Sequence, residues 1–151
     1  THTWYGLFRD GMKTESIDVM KRHWSGTWPE NRSPAVIGLF IEGHLNKEAI
    51  YLEPETVYQA RVCAYDCEYD ELSYAWDIRP EVEIPAASYA GGMEKRAKPI
   101  PGLIQKGQVA TAQFKTPAEE GPYRIFVQIS DGHKNAGYAN VPFYVGTYEK
   151  Q

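Results

Sequence analysis

Three acidic residues at alternate positions, Asp66, Glu68 and Asp70, are the feature of this chain whose residue types and spacing could do chemistry. Carboxylates spaced this closely in a loop can offer oxygen ligands to a hard cation such as calcium, which takes about six to eight of them. We expect Asp131 to join them, because the strand that carries it should end near the same pole of the fold. The alternative is a solvated acidic turn in which Asp66 accepts hydrogen bonds from backbone N–H groups. The sequence leaves both interpretations open.

No arrangement of a nucleophile with its base is apparent in the sequence. The histidines are dispersed, and none lies near the Gly-x-Ser-x-Gly motif of a nucleophile elbow. Two carboxylates that cleave a glycosidic bond need a cleft that holds them about 5–9 Å apart, whereas the acidic cluster here is predicted to be a turn. The chain also lacks a Gly-rich phosphate loop of the required spacing. We therefore predict that this chain is not itself an enzyme.

The two cysteines, Cys63 and Cys67, are too few for a zinc site. If both lay on one extended strand, their Cα atoms would be about 13 Å apart, which is too far for a disulfide. We predict free thiols, and a sharp turn after Asp66 is the one arrangement that would allow a bridge. Cysteine usage therefore does not fix the compartment.

One aromatic residue, Trp76, could be a platform on which a sugar stacks. Its alternation with Tyr74 and Ile78 predicts instead that it lies in the core of a two-sheet sandwich. Tyr123 is predicted to be a corner tyrosine whose hydroxyl binds backbone. Both aromatic residues are therefore assigned to the fold and not to ligand binding.

Tyrosines predicted to be exposed are the better candidates for carbohydrate binding, namely Tyr65, Tyr69 and Tyr89. A flat ring contacts the apolar face of a pyranose, while polar neighbours hold the hydroxyl groups. Scattered surface tyrosines are also ordinary in proteins that bind no sugar. These three residues form a hypothesis that needs a geometric test.

Composition limits the classes of partner. The chain has 151 residues, 42% of them hydrophobic, and a formal net charge of −4. A mildly acidic chain without a basic run argues against nucleic acid as a partner and gives no polybasic membrane patch. No apolar run approaches the ~18 residues that span a bilayer. We therefore predict a globular protein that binds neither nucleic acid nor membrane.

The hydrophobic pattern predicts one helix followed by strands. Thr14 and Gly26 are placed to begin and end a helix over residues 15–24, and two prolines make 29–34 a linker. About seven strands follow, joined by turns, which favours an all-β, antiparallel two-sheet sandwich. They are predicted at residues 35–42, 49–52, 56–65, 73–79, 108–115, 123–129 and 135–145. The core is predicted to include Trp76, Val62, Ile125, Val127 and Phe114.

Two segments do not fit this rhythm. Residues 80–107 form a long insertion between strands, and loops of such length are often functional. The N-terminal segment is too apolar for a free tail, so we expect its helix to dock on the sandwich or to mediate dimerisation. Its apolar residues are Trp4, Tyr5, Leu7, Phe8, Ile17, Met20 and Trp24.

The sequence from 33 to 146 resembles the Ig-like and PKD-type sandwich modules appended to bacterial extracellular carbohydrate-active enzymes. The matching motifs are 31–34, the acidic turn and Trp strand over 64–76, 121–124 and the Ser-Asp-Gly of 130–132. Cys67 and Tyr69 stand where the turn of that family usually has Pro and Gly. The resemblance implies an Ig-like or PKD-like fold, with calcium as the cofactor to test.

The first 28 residues look like the last part of a glycoside hydrolase TIM barrel. The motifs are the aromatic run 4–8, Asp10-Gly11 and the helical segment 14–20. The two resemblances together imply a barrel remnant at 1–28, a linker at 29–34 and an Ig-like domain at 35–147.

The implied function is a non-catalytic C-terminal accessory module, a spacer or stabiliser, of a secreted, periplasmic or cell-surface glycoside hydrolase. Its implied partner is the upstream barrel of the same chain. The alternative is a carbohydrate-binding module with polysaccharide as its ligand.

Overall fold

The computed structural model describes residues 7–45, 49–81 and 97–147. Within these ranges the chain forms one α-helix and ten β-strands. The helix is α1 (Glu15–Ser25), and the strands are β1 (Phe8–Arg9), β2 (Met12–Lys13), β3 (Ala35–Ile41), β4 (Tyr51–Leu52), β5 (Val57–Tyr65), β6 (Ser73–Pro80), β7 (Ile104–Lys106), β8 (Thr111–Lys115), β9 (Gly121–Ser130) and β10 (Ala136–Val145).

Eight of the described strands form two four-stranded sheets. One sheet has the order β4-β10-β9-β6, and the other has the order β3-β5-β8-β7. The short β4 pairs with β10 in parallel, and the other pairings within both sheets are antiparallel. A mainly β, antiparallel fold with one N-terminal helix, as predicted from the sequence, is confirmed.

One hydrophobic core is shared by both sheets. Residues at alternate positions of β9 are buried along the whole strand, as expected for a strand with one face on a core. The five residues predicted for the core are all in it, namely Trp76, Val62, Ile125, Val127 and Phe114. The Trp76 indole Nε1–H also donates a hydrogen bond to the carbonyl oxygen of Val109, at 3.0 Å.

Tyr123 is a corner tyrosine, as predicted. Its side chain is buried, and its hydroxyl donates a hydrogen bond to the carbonyl oxygen of Glu119 at 3.0 Å. Burial raises the pKa of the Tyr123 phenol, and the negative charge of Glu119 raises it further. The ring therefore ties the start of β9 to the turn before it.

The predicted helix over residues 15–24 is confirmed as Glu15–Ser25. It ends at Gly26, whose φ of 75° is the left-handed conformation that glycine adopts most readily. Thr14 occupies the N-cap position, but its hydroxyl donates to the carbonyl oxygen of Leu7 instead of capping the helix. The start of α1 is thereby held against the residues that precede the hairpin of β1 and β2.

The most buried side chain of the helix is polar, which its apolar spacing did not predict, while Ile17 and Met20 are half-buried. Asp18 is the buried residue of α1, whereas Val19 is 49% and Trp24 74% exposed. Phe8 in the preceding hairpin is 63% exposed. The sandwich therefore does not cover Phe8 and Trp24, and the other expected occupant of this surface, a second copy of the chain, stays a prediction. Trp4 and Tyr5 lie outside the described residues.

The segment 29–34 and the predicted insertion 80–107 both differ from a simple exposed loop. Residues 29–34, the predicted linker, have no regular structure, and Ser33 and Pro34 are buried. The predicted insertion contains β7, which pairs with β8. Much of that insertion, including Tyr89, lies outside the described residues.

Candidate metal centre

Two acidic turns meet at one pole of the sandwich. Asp66 directly follows β5 in one sheet, and Asp131 directly follows β9 in the other. One carboxylate oxygen from each of Asp66, Asp70 and Asp131 lies within 4.8 Å of the other two. The sequence-based expectation that Asp131 joins the acidic turn therefore agrees with the geometry, because both strands end at this pole.

The first turn is organised by the carboxylate that begins it. Asp66 Oδ1 accepts hydrogen bonds from the backbone N–H groups of Glu68, at 2.9 Å, and Asp70, at 3.1 Å. Tyr69, between these two, has a positive φ of 66°. These bonds are those expected of the alternative interpretation, an Asp-led turn. They occupy only one of the two Asp66 oxygens.

The second turn repeats this arrangement. Asp131 Oδ1 accepts hydrogen bonds from the N–H groups of His133, at 2.7 Å, and Asn135, at 3.2 Å. Lys134 has a positive φ of 64°, at the position equivalent to that of Tyr69. The Asn135 side chain donates to Asp131 Oδ2, so both oxygens of this carboxylate have donors.

The Asp66 carboxylate lacks an equivalent second donor. It is 7% exposed, and no described residue donates a hydrogen bond to its buried Oδ2. A buried carboxylate oxygen without a partner is costly and rare. Asp131 is 4% exposed, so two of the three clustered carboxylates are shielded from water. The nearby His133 imidazole has its Nε2 3.7 Å from Asp70 Oδ1 and is largely exposed.

Glu68 lies apart from the three clustered carboxylates. Its Oε1 accepts a hydrogen bond from Arg32 Nε at 3.1 Å, and its Oε2 accepts one from the Arg32 backbone N–H at 3.1 Å. The bond to Glu68 raises the pKa of the Arg32 guanidinium above its ordinary value. Of the four predicted ligands, the structure thus brings together Asp66, Asp70 and Asp131, and Glu68 holds the linker instead.

Two asparagines complete the pole and were not predicted from the sequence. The Asn31 amide donates to Asp70 Oδ2 at 2.6 Å, and its oxygen accepts a hydrogen bond from the Asn135 side chain. A signal for Asn135 is present in the sequence, since it follows Asp131 by four residues as Asp70 follows Asp66. Asn31 carries no such signal, because only the path of the linker brings it here.

The side chains at this pole have the chemistry of a candidate cation site. Oxygen donors predominate, two carboxylates are buried, and their orientation is fixed by backbone N–H groups, which suits a hard cation such as Ca²⁺. A pair of glycosidase carboxylates needs more separation, about 5 Å or above, and access to substrate. Here Asn31 donates a hydrogen bond to Asp70 and so partly covers the cluster.

Of the three tyrosines predicted to bind carbohydrate, Tyr65 and Tyr69 are exposed, and Tyr89 lies outside the described residues. Tyr65 is 51% exposed at the end of β5, and Tyr69 is 94% exposed on the acidic turn. A different exposed pair, Tyr51 and Tyr144, has ring centroids 5.8 Å apart with the rings inclined at 51°. Inclined rings do not form the flat platform that a pyranose face would need.

The two thiols, Cys63 and Cys67, are free, as predicted, and both are half-buried. Among the described residues, no helix is both long and apolar enough to cross a membrane. Comparison of the chain with protein-family models and with curated proteins gave no match.

Proposed function

We propose that this chain is a non-catalytic accessory module of a secreted glycoside hydrolase, in which an Ig-like sandwich serves as a spacer or stabiliser. The proposal takes its family from the sequence resemblance. It takes its mechanical role from the way in which residues 7–34 are fastened to the sandwich.

The observation that carries the proposal is a buried polar junction centred on Lys13 and Asp18. The Lys13 ammonium forms an ion pair with Asp18 and also contacts the Asn31 carbonyl oxygen, at 3.2 Å, and Ser33 Oγ, at 3.4 Å. The Ser33 backbone N–H donates to Asp18 Oδ2 at 2.6 Å. Hairpin, helix and linker are therefore bound to one another directly before β3.

The hairpin is also bound to the outer face of a sheet. Arg9 Nε donates to Gln128 Oε1 on β9 at 3.3 Å, and the Arg9 guanidinium lies 5.4 Å from the centre of the Tyr138 ring on β10. A module that only tethers needs a flexible linker. A module that fixes the position of a preceding domain needs a junction of this kind.

Exposed apolar residues on the same segment support contact with a further domain. Phe8, Val19 and Trp24 are each at least 49% exposed. A domain packed against the hairpin and helix would remove these side chains from water, and such burial is favourable. In the proposal the upstream TIM barrel covers them, and a second copy of the chain is the alternative occupant. Sedimentation of the purified chain separates these two, because only the second predicts a dimer.

The rival function is carbohydrate binding, and native affinity electrophoresis with a panel of polysaccharides tests it. The spacer proposal predicts unchanged mobility on every gel and no turnover of aryl glycosides by the purified chain. Clear retardation that is lost on Tyr69→Ala or Tyr144→Ala would defeat the spacer proposal in favour of a binding module.

The stabiliser role is tested in the full natural polypeptide. Asp18→Ala should lower the temperature at which glycosidase activity is lost, while the initial rate on a small aryl glycoside stays the same. Glu15→Ala, on the exposed side of the same helix turn, is the matched control and should change neither. Absence of glycosidase activity in the full polypeptide, or equal inactivation of both variants, would contradict the proposal.

A further inference from the structure

We propose that Asp66, Asp70 and Asp131 bind a divalent cation of the calcium class, and that this cation fastens the linker to both sheets. The inference rests on the pole of the sandwich alone. It holds whether or not the module belongs to a glycoside hydrolase.

The two equivalent turns show what is missing at the Asp66 carboxylate. Each turn begins with an aspartate whose Oδ1 accepts the N–H groups two and four residues later. In the second turn the residue four positions later is Asn135, whose amide donates to Asp131 Oδ2. In the first turn that position is Asp70, and an ionised carboxylate cannot donate. Asp66 Oδ2 is therefore buried without a donor.

A cation would give Asp66 Oδ2 the partner that the ionised Asp70 side chain cannot provide. Three carboxylates with oxygens within 4.8 Å of one another repel, and two of them are shielded from water. The Lys13 ammonium is engaged with Asp18 and the linker, and His133 Nε2 lies 3.7 Å from Asp70 Oδ1. A divalent ion placed between the three would offset their charge and give Asp66 Oδ2 a partner.

The donor set selects the class of ion. Carboxylate oxygens suit hard cations, and Ca²⁺ accepts the irregular geometry and high ligand number that two turns and water can provide. Zinc and softer transition metals prefer thiolate or imidazole ligands, and the three clustered groups are carboxylates. Mg²⁺ demands a more regular octahedron and keeps more of its water, so we expect weaker binding of that ion.

The bound ion would act on the linker through Asn31. The Asn31 amide spans the pole, since it donates to Asp70 and accepts from Asn135. The backbone carbonyl oxygen of Asn31 accepts a hydrogen bond from the Lys13 ammonium, which in turn binds Asp18 of the helix. An ion that fixes Asp70 would therefore reduce the mobility of Asn31 and of the N-terminal segment bound to it.

The test is a calorimetric titration of the whole chain with CaCl₂ after treatment with EDTA and removal of the chelator, together with thermal melts with and without CaCl₂. We expect saturable binding of one ion, a rise in melting temperature of several degrees with CaCl₂ and a smaller rise with MgCl₂. Limited proteolysis within 27–34 should be at least several-fold slower with CaCl₂. Absence of heat, of a melting shift and of protection with either ion would overturn the proposal.

Two variants of the same turn make the test specific. Asp70→Asn reproduces the Asp131–Asn135 pattern and gives Asp66 Oδ2 a donor. We expect it to melt at or above the temperature of the EDTA-treated parent and to lose the calcium shift. Glu68→Gln removes the same charge from the same turn but outside the cluster, so it should keep the shift. Equal responses of the two variants would overturn the assignment of the ligands. If Asp70→Asn failed to fold, the requirement for a donor at Asp66 Oδ2 would be wrong.

Discussion

Asp18→Ala should detach the N-terminal segment from the sandwich at a calculable cost. Asp18 is 1% exposed, forms an ion pair with Lys13 and accepts a hydrogen bond from the Ser33 N–H. Hydrogen bonds to charged groups are each worth about 1.5–3 kcal/mol. Because the Lys13 side chain is 23% exposed and water can partly replace its partner, we take the lower end for both, about 3 kcal/mol.

The loss of these Asp18 contacts can appear as local opening of the segment, which hydrogen exchange measures, or as global destabilisation, which thermal melting measures. If the segment opens locally, amide exchange in α1 should accelerate by about 100-fold, which is the equivalent of ~3 kcal/mol. If it unfolds with the sandwich, the melting temperature should fall by about 6–12 °C. The exposed Glu15 on the same helix is the control, and Glu15→Ala should change the free energy of unfolding by no more than ~0.5 kcal/mol. If Asp18→Ala behaved like Glu15→Ala in both assays, the junction would not hold the segment.

Three further changes test the core and the turns. Trp76→Ala should lower the free energy of unfolding measured in urea by about 3–5 kcal/mol, because it leaves a cavity in the core. A loss no larger than the ~0.5 kcal/mol typical of an exposed residue would contradict the burial of Trp76. Tyr123→Phe should cost about 0.5–1.5 kcal/mol at neutral pH through the lost bond to Glu119. Because the folded-state pKa of Tyr123 is raised, its contribution is present below about pH 10 and is lost as pH rises towards that folded pKa. The variant should therefore lose less stability than the parent above pH 10, and an unchanged pH profile would refute this. Gly137→Ala should destabilise the fold by about 1–3 kcal/mol, because its Cβ would lie 2.5 Å from the Pro34 carbonyl oxygen, and an unchanged urea midpoint would show that this contact can relax.

The strands and the core could be predicted because both follow from a local period. The alternation of apolar and polar residues around Trp76 and along 123–129 indicates which face of each strand is buried. This indication does not depend on which strand lies next to it. The three-residue β7 was missed, since so short a strand shows no period and is defined by its pairing with β8.

Predictions failed where the partner of a polar side chain decides the structure. Asp18 looks like an ordinary acidic residue in the first turns of a helix, but the Ser33 N–H and Lys13 bury it. Glu68 has the same sequence spacing as the clustered aspartates, yet Arg32 holds it. Both outcomes depend on where the linker runs, and local patterns do not report that path.

A crystal structure of the chain grown with CaCl₂ would show directly whether the three aspartates bind a cation. We expect a single ion at the pole with Asp66 Oδ2 among its ligands, at about 2.3–2.6 Å. Asp70 and Asp131 should contribute further oxygens, and Glu68 should stay bound to Arg32. A structure at saturating calcium in which a water molecule or a protonated carboxyl group occupies the position beside Asp66 Oδ2, with no ion between the three aspartates, would contradict this expectation.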